Sequence, residues 1–487
     1  MLSKSKIMRG KQCHKSLWLY RHAYNLREIN EQQQAIFQTG TDVGILAQGL
    51  FPKGIDATKG HDYPNLSCYK QTKKLIDNGQ NVIYEATFVY DDVLVAVDLL
   101  VKNGNKWNLY EVKSSTSVKP QHIEDATVQY YVAKGCGIDI ENIYITHLNN
   151  TYERKGDLDI QQLFTATAIT DEVKAGLDTL PETIEKLKEV EKLKKCPQID
   201  VGEQCNTPYP CDYMNYCWKD IPYFNVVELV HNRGKAQQLI DMGITDLKDI
   251  PDDFPLTINQ QIQVDAEKTE EDYIDEKAIN LFLNEISYPI YYLDFETIMP
   301  AIPPLDNTKP YGQTVFQYSL HIEEFENAEL VHKEYLAETD GTDPRTMFLQ
   351  KLIKDCGTKG TVLVYNKTFE CSRLKELATI FPKYNEEINN ILNRIVDLMQ
   401  PFQQKQYYTK EMHGSYSIKA VLPALAPQFS YTNLEISDGG TASNIFYALF
   451  EGKYTGNKAK ARKALLEYCQ MDTYAMVVVM QKLRTIV

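Results

Sequence analysis

Two carboxylates and a lysine at strand-like spacing could hold a metal ion and hydrolyse a phosphate ester. In NLYEVKSS, residues 108–115, Glu111 and Lys113 lie two apart in an otherwise apolar stretch. Positions two apart in a strand share a face, so both charges point the same way and Val112 points to the opposite face. The preceding stretch VLVAVDLLV carries a single acid, Asp98. Carboxylates suit Mg²⁺, and the lysine could orient or deprotonate a water or neutralise developing charge on the phosphate.

A second set of acids lies in the C-terminal half of the chain. YYLDFETI is an apolar strand interrupted by Asp294 and Glu296 on one face, and TVLVYNKTFECSRLKELA leads a strand into a helix that carries Glu370 near its start. In LLEYCQMDTYAMV, Tyr468 and Asp472 are four apart and share a helix face. Four such acids could hold two Mg²⁺ or Mn²⁺ ions around a scissile phosphate, with the tyrosine positioning the attacking water.

Four cysteines form a third candidate site. Cys13 lies near the N-terminus, and Cys205, Cys211 and Cys217 follow about 190 residues later with C-x5-C-x5-C spacing. A metal group bound by all four would close a long loop and remove entropy from the unfolded chain. Tetrahedral zinc and free thiols are open interpretations, and Cys196 is a possible substitute ligand. The other cysteines are expected to be reduced, packed thiols: Cys68, Cys136, Cys356, Cys371 and Cys469.

The elements that must position these residues fall into three blocks. Residues 1–220 mix strands with helices, including a long helix around QHIEDATVQYYVAKG, which predicts an α/β domain. Residues 221–287 form a polar helical connector. Within it, ELVHNRGKAQQLIDMGITDLKDIPDDF is either a helix-hairpin-helix-like element, able to hold a phosphate backbone at a helix start, or a plain helical linker. Residues 288–487 are a second α/β block that ends in a long helix.

Composition narrows the class of protein. The 487 residues carry a formal net charge of −14, which argues against a surface coated in positive charge for nucleic acid. It does not exclude a nuclease, because metal-binding carboxylates are acidic and basic grooves are local. No stretch approaches 18 consecutive apolar residues, and the N-terminus lacks a signal-peptide pattern. We therefore expect a cytoplasmic protein with no membrane partner.

The first constellation resembles the RecB-type branch of the PD-(D/E)xK nuclease superfamily, which includes Cas-associated nucleases. The resemblance adds Glu85 in YEATF and Gln129 in VQYYV to the catalytic set. The branch often has a tyrosine four residues after the glutamine, where this chain has Ala133, and tyrosines stand at 130 and 131 instead. The branch's metal-binding histidine near the first helix is not evident. The four-cysteine layout resembles that of the iron–sulfur members of this branch, although these commonly have C-x2-C-x5-C, and implies a [4Fe–4S] cluster that joins the two ends of the domain.

The second constellation resembles the DnaQ-like exonucleases, also called the DEDD family, and implies an RNase H-like fold. DFET matches the first motif, YNKTFE the second with Glu370 where aspartate is usual, and YCQMD the third. The tyrosine of the third motif places the chain with the DEDDy subgroup, because Glu467 stands where the other subgroup has histidine. Asp397 and the stretch GSYSIKAVL resemble intervening segments, and we assign Asp397 a lesser, structural role.

Together the motifs predict a metal-dependent nuclease that acts on DNA through two modules, the C-terminal one a 3′–5′ exonuclease. The order of modules resembles a bacterial family of two-module proteins with uncharacterised domains. Two alternatives stay open. One is an RNA exonuclease. The other is a nucleic-acid-binding scaffold with one inactive module, motivated by the missing histidine and by Glu370.

Overall fold

The computed structural model describes residues 1–221, 224–232, 234–431 and 434–487. Two compact units make up the chain, and each is a mixed α/β structure. Their boundaries are as follows: Met1–Asp220 with Ala301–Gly312 in the first unit, and Ile221–Pro300 with Gln313–Val487 in the second. The predicted connector, residues 221–287, is therefore part of the second unit.

The first unit is built on one sheet. Its strands are β1 (Leu2–Ser3), β2 (Ile55–Asp56), β3 (Val82–Tyr90), β4 (Val93–Asn103), β5 (Lys106–Lys113), β6 (Ile140–Leu148) and β7 (Phe164–Ala168). Its α-helices are α1 (Lys4–Gln12), α2 (His14–His22), α3 (Glu31–Ala47), α4 (Leu66–Asp77), α5 (Pro120–Gly135), α6 (Ile160–Leu163), α7 (Thr170–Ala175), α8 (Leu180–Lys192) and α9 (Met214–Cys217).

The strand order of this sheet is β2-β3-β4-β5-β6-β7, with β1 pairing β4. The pairs β3–β4, β4–β5 and β6–β7 are antiparallel, whereas β5–β6 is parallel and is connected by α5. Alternating residues of β5 reach two cores. Trp107 and Leu109 pack in the core that includes residues of α5, while Tyr110 and Val112 pack on the opposite face. The predicted face assignment of Val112 is confirmed.

The second unit contains a mixed sheet and a separate short hairpin. Its strands are β8 (Tyr273–Ile274), β9 (Ile290–Ile298), β10 (Thr314–Glu323), β11 (Val331–Leu336), β12 (Thr361–Val364), β13 (Ile395–Asp397) and β14 (Tyr407–Tyr408). Its α-helices are α10 (Lys235–Asp241), α11 (Ile258–Thr269), α12 (Glu276–Leu283), α13 (Pro344–Asp355), α14 (Lys367–Ile380), α15 (Asn385–Leu392), α16 (Gln400–Gln403), α17 (Ile418–Leu425), α18 (Gly439–Phe450) and α19 (Lys458–Arg484).

The larger sheet has the order β11-β10-β9-β12-β13, so β9 is its central strand. Strand β10 is antiparallel to both neighbours, and β12 is parallel to β9 and β13. Helices α13 and α19 pack on this sheet and α18 packs on β9. The stretch expected to resemble a helix-hairpin-helix, residues 228–254, contains α10 and ends before α11 begins. Leu239 of α10 packs with Val226 and with Val264 of α11 in a small core. Arg233, within that stretch, lies outside the described residues.

Helix α19 is the longest helix, and charged residues recur along it. None of the helices in the described ranges has both the length and the apolar character that a bilayer span requires.

Candidate active sites and the cysteine cluster

Three carboxylates lie side by side on neighbouring strands of the first unit. The registers of β3 with β4 and of β4 with β5 place Glu85 opposite Asp98, and Asp98 beside Glu111. Glu85 has a φ of 50°, so its backbone departs from the regular ladder at this point. The structure thus brings together the acids that the motifs predicted for this site.

Glu111 is almost fully buried and has charged partners on one carboxylate oxygen. Its Oε1 accepts from Lys4 Nζ at 2.5 Å and from Lys113 Nζ at 2.8 Å. Its Oε2 accepts from Gln129 Nε2 at 2.5 Å, and the same amide donates to the carbonyl of Ala96. Gln129 therefore orients the carboxylate rather than facing solvent.

The two lysines decide the protonation state of this site. Burial opposes ionisation of Glu111, but the charges and hydrogen bonds of Lys113 and Lys4 outweigh it and hold the pKa of Glu111 below its usual value. Burial likewise opposes the charge on Lys113, yet Glu111 and Asp125 raise the pKa of Lys113 above its usual value. The pair is ionised across the neutral pH range.

The other two acids experience the opposite effect. Burial, followed by the charges of Glu111 and Asp56, raises the pKa of Glu85 to about 7. Burial and the charges of Glu111 and Glu85 raise the pKa of Asp98 well above its usual value, although Asp98 Oδ2 accepts from the Val112 amide at 2.6 Å. Neighbouring oxygen donors that repel one another in this way fit a hard divalent ion.

Lys4 and Asp125 belong to this site and were not predicted. Lys113 Nζ donates to Asp125 Oδ2. Asp125 is four residues before Gln129 on α5, so i,i+4 spacing is a signal that could have found it. Lys4 reaches Glu111 because β1 pairs with β4, a contact between residues 107 apart for which the local pattern gives no signal.

The tyrosines that replace the expected motif on α5 do not take its place. Tyr130 packs into the core, and Tyr131 Oη donates to Asp91 at 3.0 Å.

The four predicted cysteines line one small cavity of about 20 Å³. Cys13 ends α1 and begins α2, and Cys217 ends α9. The cavity's other lining residues are Ser16, Gln204, Tyr213 and Met214. Cys196 is not among them, so the cavity favours the predicted four as the ligand set over a set that includes Cys196.

The spacing of these thiols can be compared with that of a zinc site. Zinc–sulfur bonds of about 2.3 Å place tetrahedral thiolates roughly 3.8 Å apart. Among the described residues, three ligand atoms within 4.8 Å of one another occur at Asp294, Glu296 and Cys469, and not within the four cysteines. The cysteine set is therefore more open here than a zinc tetrahedron.

The second unit gathers its acids from the central strand and two helices. Asp294 and Glu296 are on one face of β9, and Glu296 is 8% exposed. Tyr468 and Asp472 are buried on α19, which packs against that strand. Burial and the charge of Asp472 raise the pKa of Asp294 well above its usual value, and burial with the charges of Asp294 and Asp472 does the same to Glu296.

Glu370 reaches this site from the first turn of α14. Asn366 precedes the helix with a φ of 82°. Asp397 holds this left-handed turn, because its carboxylate accepts from the amides of Asn366 and Lys367 at 3.0 and 2.9 Å. Glu370 is 1% exposed, and burial followed by the charge of Asp294 raises its pKa well above its usual value. The structural role predicted for Asp397 is confirmed.

Two further side chains hold the residues of α19. Lys419 Nζ donates to Tyr468 Oη at 2.8 Å and to the carbonyl of Ser437. Tyr431 Oη donates to Asp472 Oδ1 at 2.7 Å, and Tyr468 also hydrogen-bonds Asp472. Burial raises the pKa of Asp472 to about 6 despite these bonds and the charge of Lys419.

Lys419 lies in the GSYSIKAVL stretch that the motif comparison singled out, although its role was not predicted. Tyr431 carried no pattern that could have identified it.

Comparisons with known proteins cover part of the chain. Residues 291–417 match the family described as Domain of unknown function (DUF2779). That stretch contains three of the four C-terminal acids and ends before α19. Similar proteins are the uncharacterized protein MG366 homolog of Mycoplasma pneumoniae and the uncharacterized protein UU173 of Ureaplasma parvum. The first is 29% identical over 205 residues, which cover 39% of this chain and 31% of the relative. The second is 28% identical over 280 residues, which cover 52% of this chain and 39% of the relative.

The uncharacterized protein MG366 of Mycoplasma genitalium is 27% identical over 211 residues, which is 40% of this chain and 32% of the relative. The chain thus matches between 31% and 39% of the length of these curated relatives.

Proposed function

We propose that the protein is a cytoplasmic, metal-dependent nuclease that acts on DNA through two phosphodiester-hydrolysing units. The C-terminal unit is the 3′–5′ exonuclease. The observation that carries the proposal is the meeting of Asp294, Glu296, Glu370 and Asp472 at one buried place, where the pKa of every member is raised. Bound divalent cations relieve such crowding, which otherwise destabilises the fold.

These four carboxylates would hold Mg²⁺ or Mn²⁺. When bound, the ions supply activation of a water and stabilisation of the leaving oxygen. Burial and the charge of Asp472 raise the pKa of Tyr468, so its phenol stays protonated. Lys419 fixes Tyr468 Oη beside Asp472, where the phenol can orient the attacking water.

In the N-terminal unit, Asp98 and Glu111 would hold the metal ion. Lys113 has its pKa raised and is fixed by Glu111 and Asp125. A lysine of this kind stays protonated, so it stabilises developing negative charge on the phosphate rather than acting as a base. Of the roles expected for Lys113, electrostatic stabilisation is the one that this environment supports.

A [4Fe–4S] cluster bound by Cys13, Cys205, Cys211 and Cys217 completes the proposal as a structural group. The four thiols line one cavity, which supports a shared metal group, and their layout along the sequence favours the cluster over zinc. Protein purified without air is expected to be brown with broad visible absorption. A colourless anaerobic preparation with stoichiometric zinc would contradict the cluster.

One observation favours the scaffold alternative for the N-terminal unit alone. Glu111 already accepts from Lys4, Lys113 and Gln129, so a metal ion would have to compete with two ammonium groups for this carboxylate. A unit of this kind could bind nucleic acid without cutting it.

Separate substitutions in the two units test the proposal. Wild type, Asp294→Ala and Lys113→Ala are incubated with labelled single-stranded DNA, duplex DNA and RNA in Mg²⁺ or Mn²⁺. We expect Asp294→Ala to abolish degradation from 3′ ends. We expect Lys113→Ala to keep that activity and to lose the cutting that the N-terminal unit contributes. Cutting confined to RNA would replace the DNA assignment, and unchanged activity in Lys113→Ala would make the first unit a scaffold.

A matched control is Glu323→Gln on β10, the strand beside β9. Glu323 is as buried as the site acids, but it pairs with Arg484 at 2.8 and 2.9 Å. Its substitution should lower stability and leave the specific activity of folded protein unchanged. If wild type fails to cut all three substrates, the enzyme assignment is overturned.

A further inference from the structure

We propose that Cys469 is a ligand of the metal site formed by Asp294 and Glu296, and that this site takes a thiophilic divalent ion of the Zn²⁺ class in preference to Mg²⁺. The inference deepens the proposed function, because it rests on the same C-terminal carboxylates. It changes which cation the site selects.

The geometry of α19 places the thiol among the acids. Cys469 is three residues before Asp472, so the two side chains share a helix face. The thiol is fully buried, and its Sγ lies 3.8 Å from Asp294 Oδ2. One ligand atom each from Asp294, Glu296 and Cys469 lies within 4.8 Å of the other two. A cation between them would contact two carboxylate oxygens and one sulfur.

A separate side chain indicates that a cation belongs there. Glu370 is 1% exposed, and its Oε2 has no hydrogen-bond partner in the described part of the chain. The charge of Asp294 contributes to the raised pKa of this carboxyl. A buried, unpartnered carboxylate oxygen is costly unless it is paired or coordinates a metal.

The first residue of α18 is a glycine beside two oxygens of the site. Gly439 begins this helix, and a Cβ added there would lie 3.7 Å from Glu296 Oε2 and 3.8 Å from Tyr468 Oη. Those two oxygens therefore border room that a larger residue would fill.

The mixed donor set explains the expected preference. Thiolate sulfur selects soft and borderline ions, whereas an all-oxygen set suits Mg²⁺. On binding, the Cys469 thiol loses its proton to solvent and its sulfur forms one bond to the ion, with no change of oxidation state. Replacing the sulfur by a hydroxyl should move the preference toward hard ions.

The test uses the full chain and Cd²⁺ alone as a spectroscopic probe. Thiolate-to-metal charge-transfer absorption is followed during titration of wild type, Cys469→Ser and the control Cys356→Ser. Cys356 is a buried thiol of the same unit that ends α13 and is not part of the Asp294, Glu296 and Cys469 group. The N-terminal cysteines contribute equally to all three proteins, so differences between the titrations report the C-terminal thiols.

We expect Cys469→Ser to lose one thiolate component and Cys356→Ser to retain it. Asp294→Asn keeps the thiol, so it should show the same component at roughly tenfold or more weaker Cd²⁺ affinity. Should Cys469→Ser fail to fold, Asp294→Asn and Glu296→Gln carry the test. A Cys469→Ser titration equal to wild type, or unchanged affinity in both carboxylate variants, would overturn the proposal.

The two proposals can fail separately. Absence of nuclease activity in any metal ion would remove the enzyme and leave the Cd²⁺ result standing. Nuclease activity with no Cys469 component would leave an enzyme whose site uses oxygen ligands alone.

Discussion

The two acidic sites differ in whether a buried carboxylate is paired with lysines. In the N-terminal unit, Glu111 is fully buried and accepts from two lysines, so its pKa is lowered. In the C-terminal unit, the carboxylates lie beside a phenol and a thiol, and the pKa of each is raised. Only Glu111 has lysine partners in the first site, where the pKa values of Glu85 and Asp98 are raised. The four C-terminal carboxylates form no salt bridge within the described part of the chain, although the charge of Lys419 acts on Asp294, Glu296 and Asp472.

This difference indicates what each site contributes to the folded protein. A buried ion pair is strongly destabilising to break, because the remaining charge has no partner. A group of like charges destabilises the fold until a cation binds, and such strain is typical of functional sites. The following predictions test the comparison, from the largest expected effect to the smallest.

Removing Glu111 should be the most damaging change. Glu111→Leu leaves Lys4 without its partner and Lys113 with Asp125 alone, and we expect a loss of about 3–5 kcal/mol in the free energy of unfolding. Denaturant unfolding of the full chain measures the effect, and hydrogen exchange of the β5 amides reports the stability of the first unit. A loss below 1 kcal/mol would show that the lysines do not depend on this carboxylate.

Lys405 is buried without a carboxylate partner in the described residues, in contrast to Lys4 and Lys113. It is 1% exposed, and its Nζ has no hydrogen-bond partner within the described ranges; it lies 3.8 Å from the ring centroid of Tyr408. Burial lowers its pKa from 10.5 to about 8. Lys405→Met should therefore stabilise the protein at pH 7 by up to ~3 kcal/mol, less what the Tyr408 contact contributes.

The pH dependence sharpens this prediction. Between pH 8 and 10.5 the unfolded chain binds more protons at Lys405 than the folded chain does. Wild-type stability relative to Lys405→Met should rise across that window and be lowest, and constant, below it. Parallel unfolding curves for the two proteins from pH 6 to 10.5 would contradict the lowered pKa.

Neutralising one C-terminal acid should stabilise the metal-free protein. Glu296→Gln removes one of the mutually repelling charges, and we expect a gain of roughly 0.5–2 kcal/mol in EDTA. In saturating Mn²⁺ the wild type should regain the advantage, because binding stabilises the state that holds the ion. Thermal melts of both proteins in the two conditions measure this crossover, and a loss of stability in EDTA would contradict it.

The smallest effect is expected at the positioning pair of α17 and α19. Lys419→Met removes the hydrogen bond to Tyr468 Oη, and we expect a decrease in kcat of roughly tenfold with little change in KM. The double variant Tyr468→Phe with Lys419→Met should have the same kcat as Tyr468→Phe alone. Fully additive losses would show that the lysine acts independently of the phenol.

The sequence identified most residues that lie on regular elements. Short apolar runs predicted β3, β4, β5 and β9, and the acids that interrupt them marked Asp98, Glu111 and Asp294. The two-residue period of a strand then assigned the acids a face. The spacing of four residues predicted that Tyr468 and Asp472 share a helix face. Helical spacing likewise places Cys469 on the face of Asp472, although the sequence predicts only a reduced, packed thiol at this position.

The remainder depended on contacts between distant parts of the chain. Lys4 meets Glu111 through β1, a strand of two residues that is too short to show a pattern. Lys419 and Tyr431 approach α19 through tertiary packing that local propensity does not encode. Residues 221–287 looked like a connector because they are polar, yet α11 packs against the short strand β14 of the second unit.

The most direct test of the account is 3′-end degradation of labelled single-stranded DNA in Mn²⁺ by wild type, Asp294→Asn and Glu323→Gln. We predict release of nucleotides from the 3′ end by wild type and by folded Glu323→Gln, and a loss of roughly a hundredfold or more in Asp294→Asn. Equal activity in Asp294→Asn and wild type would contradict the claim that Asp294, Glu296, Glu370 and Asp472 form a metal-dependent catalytic centre.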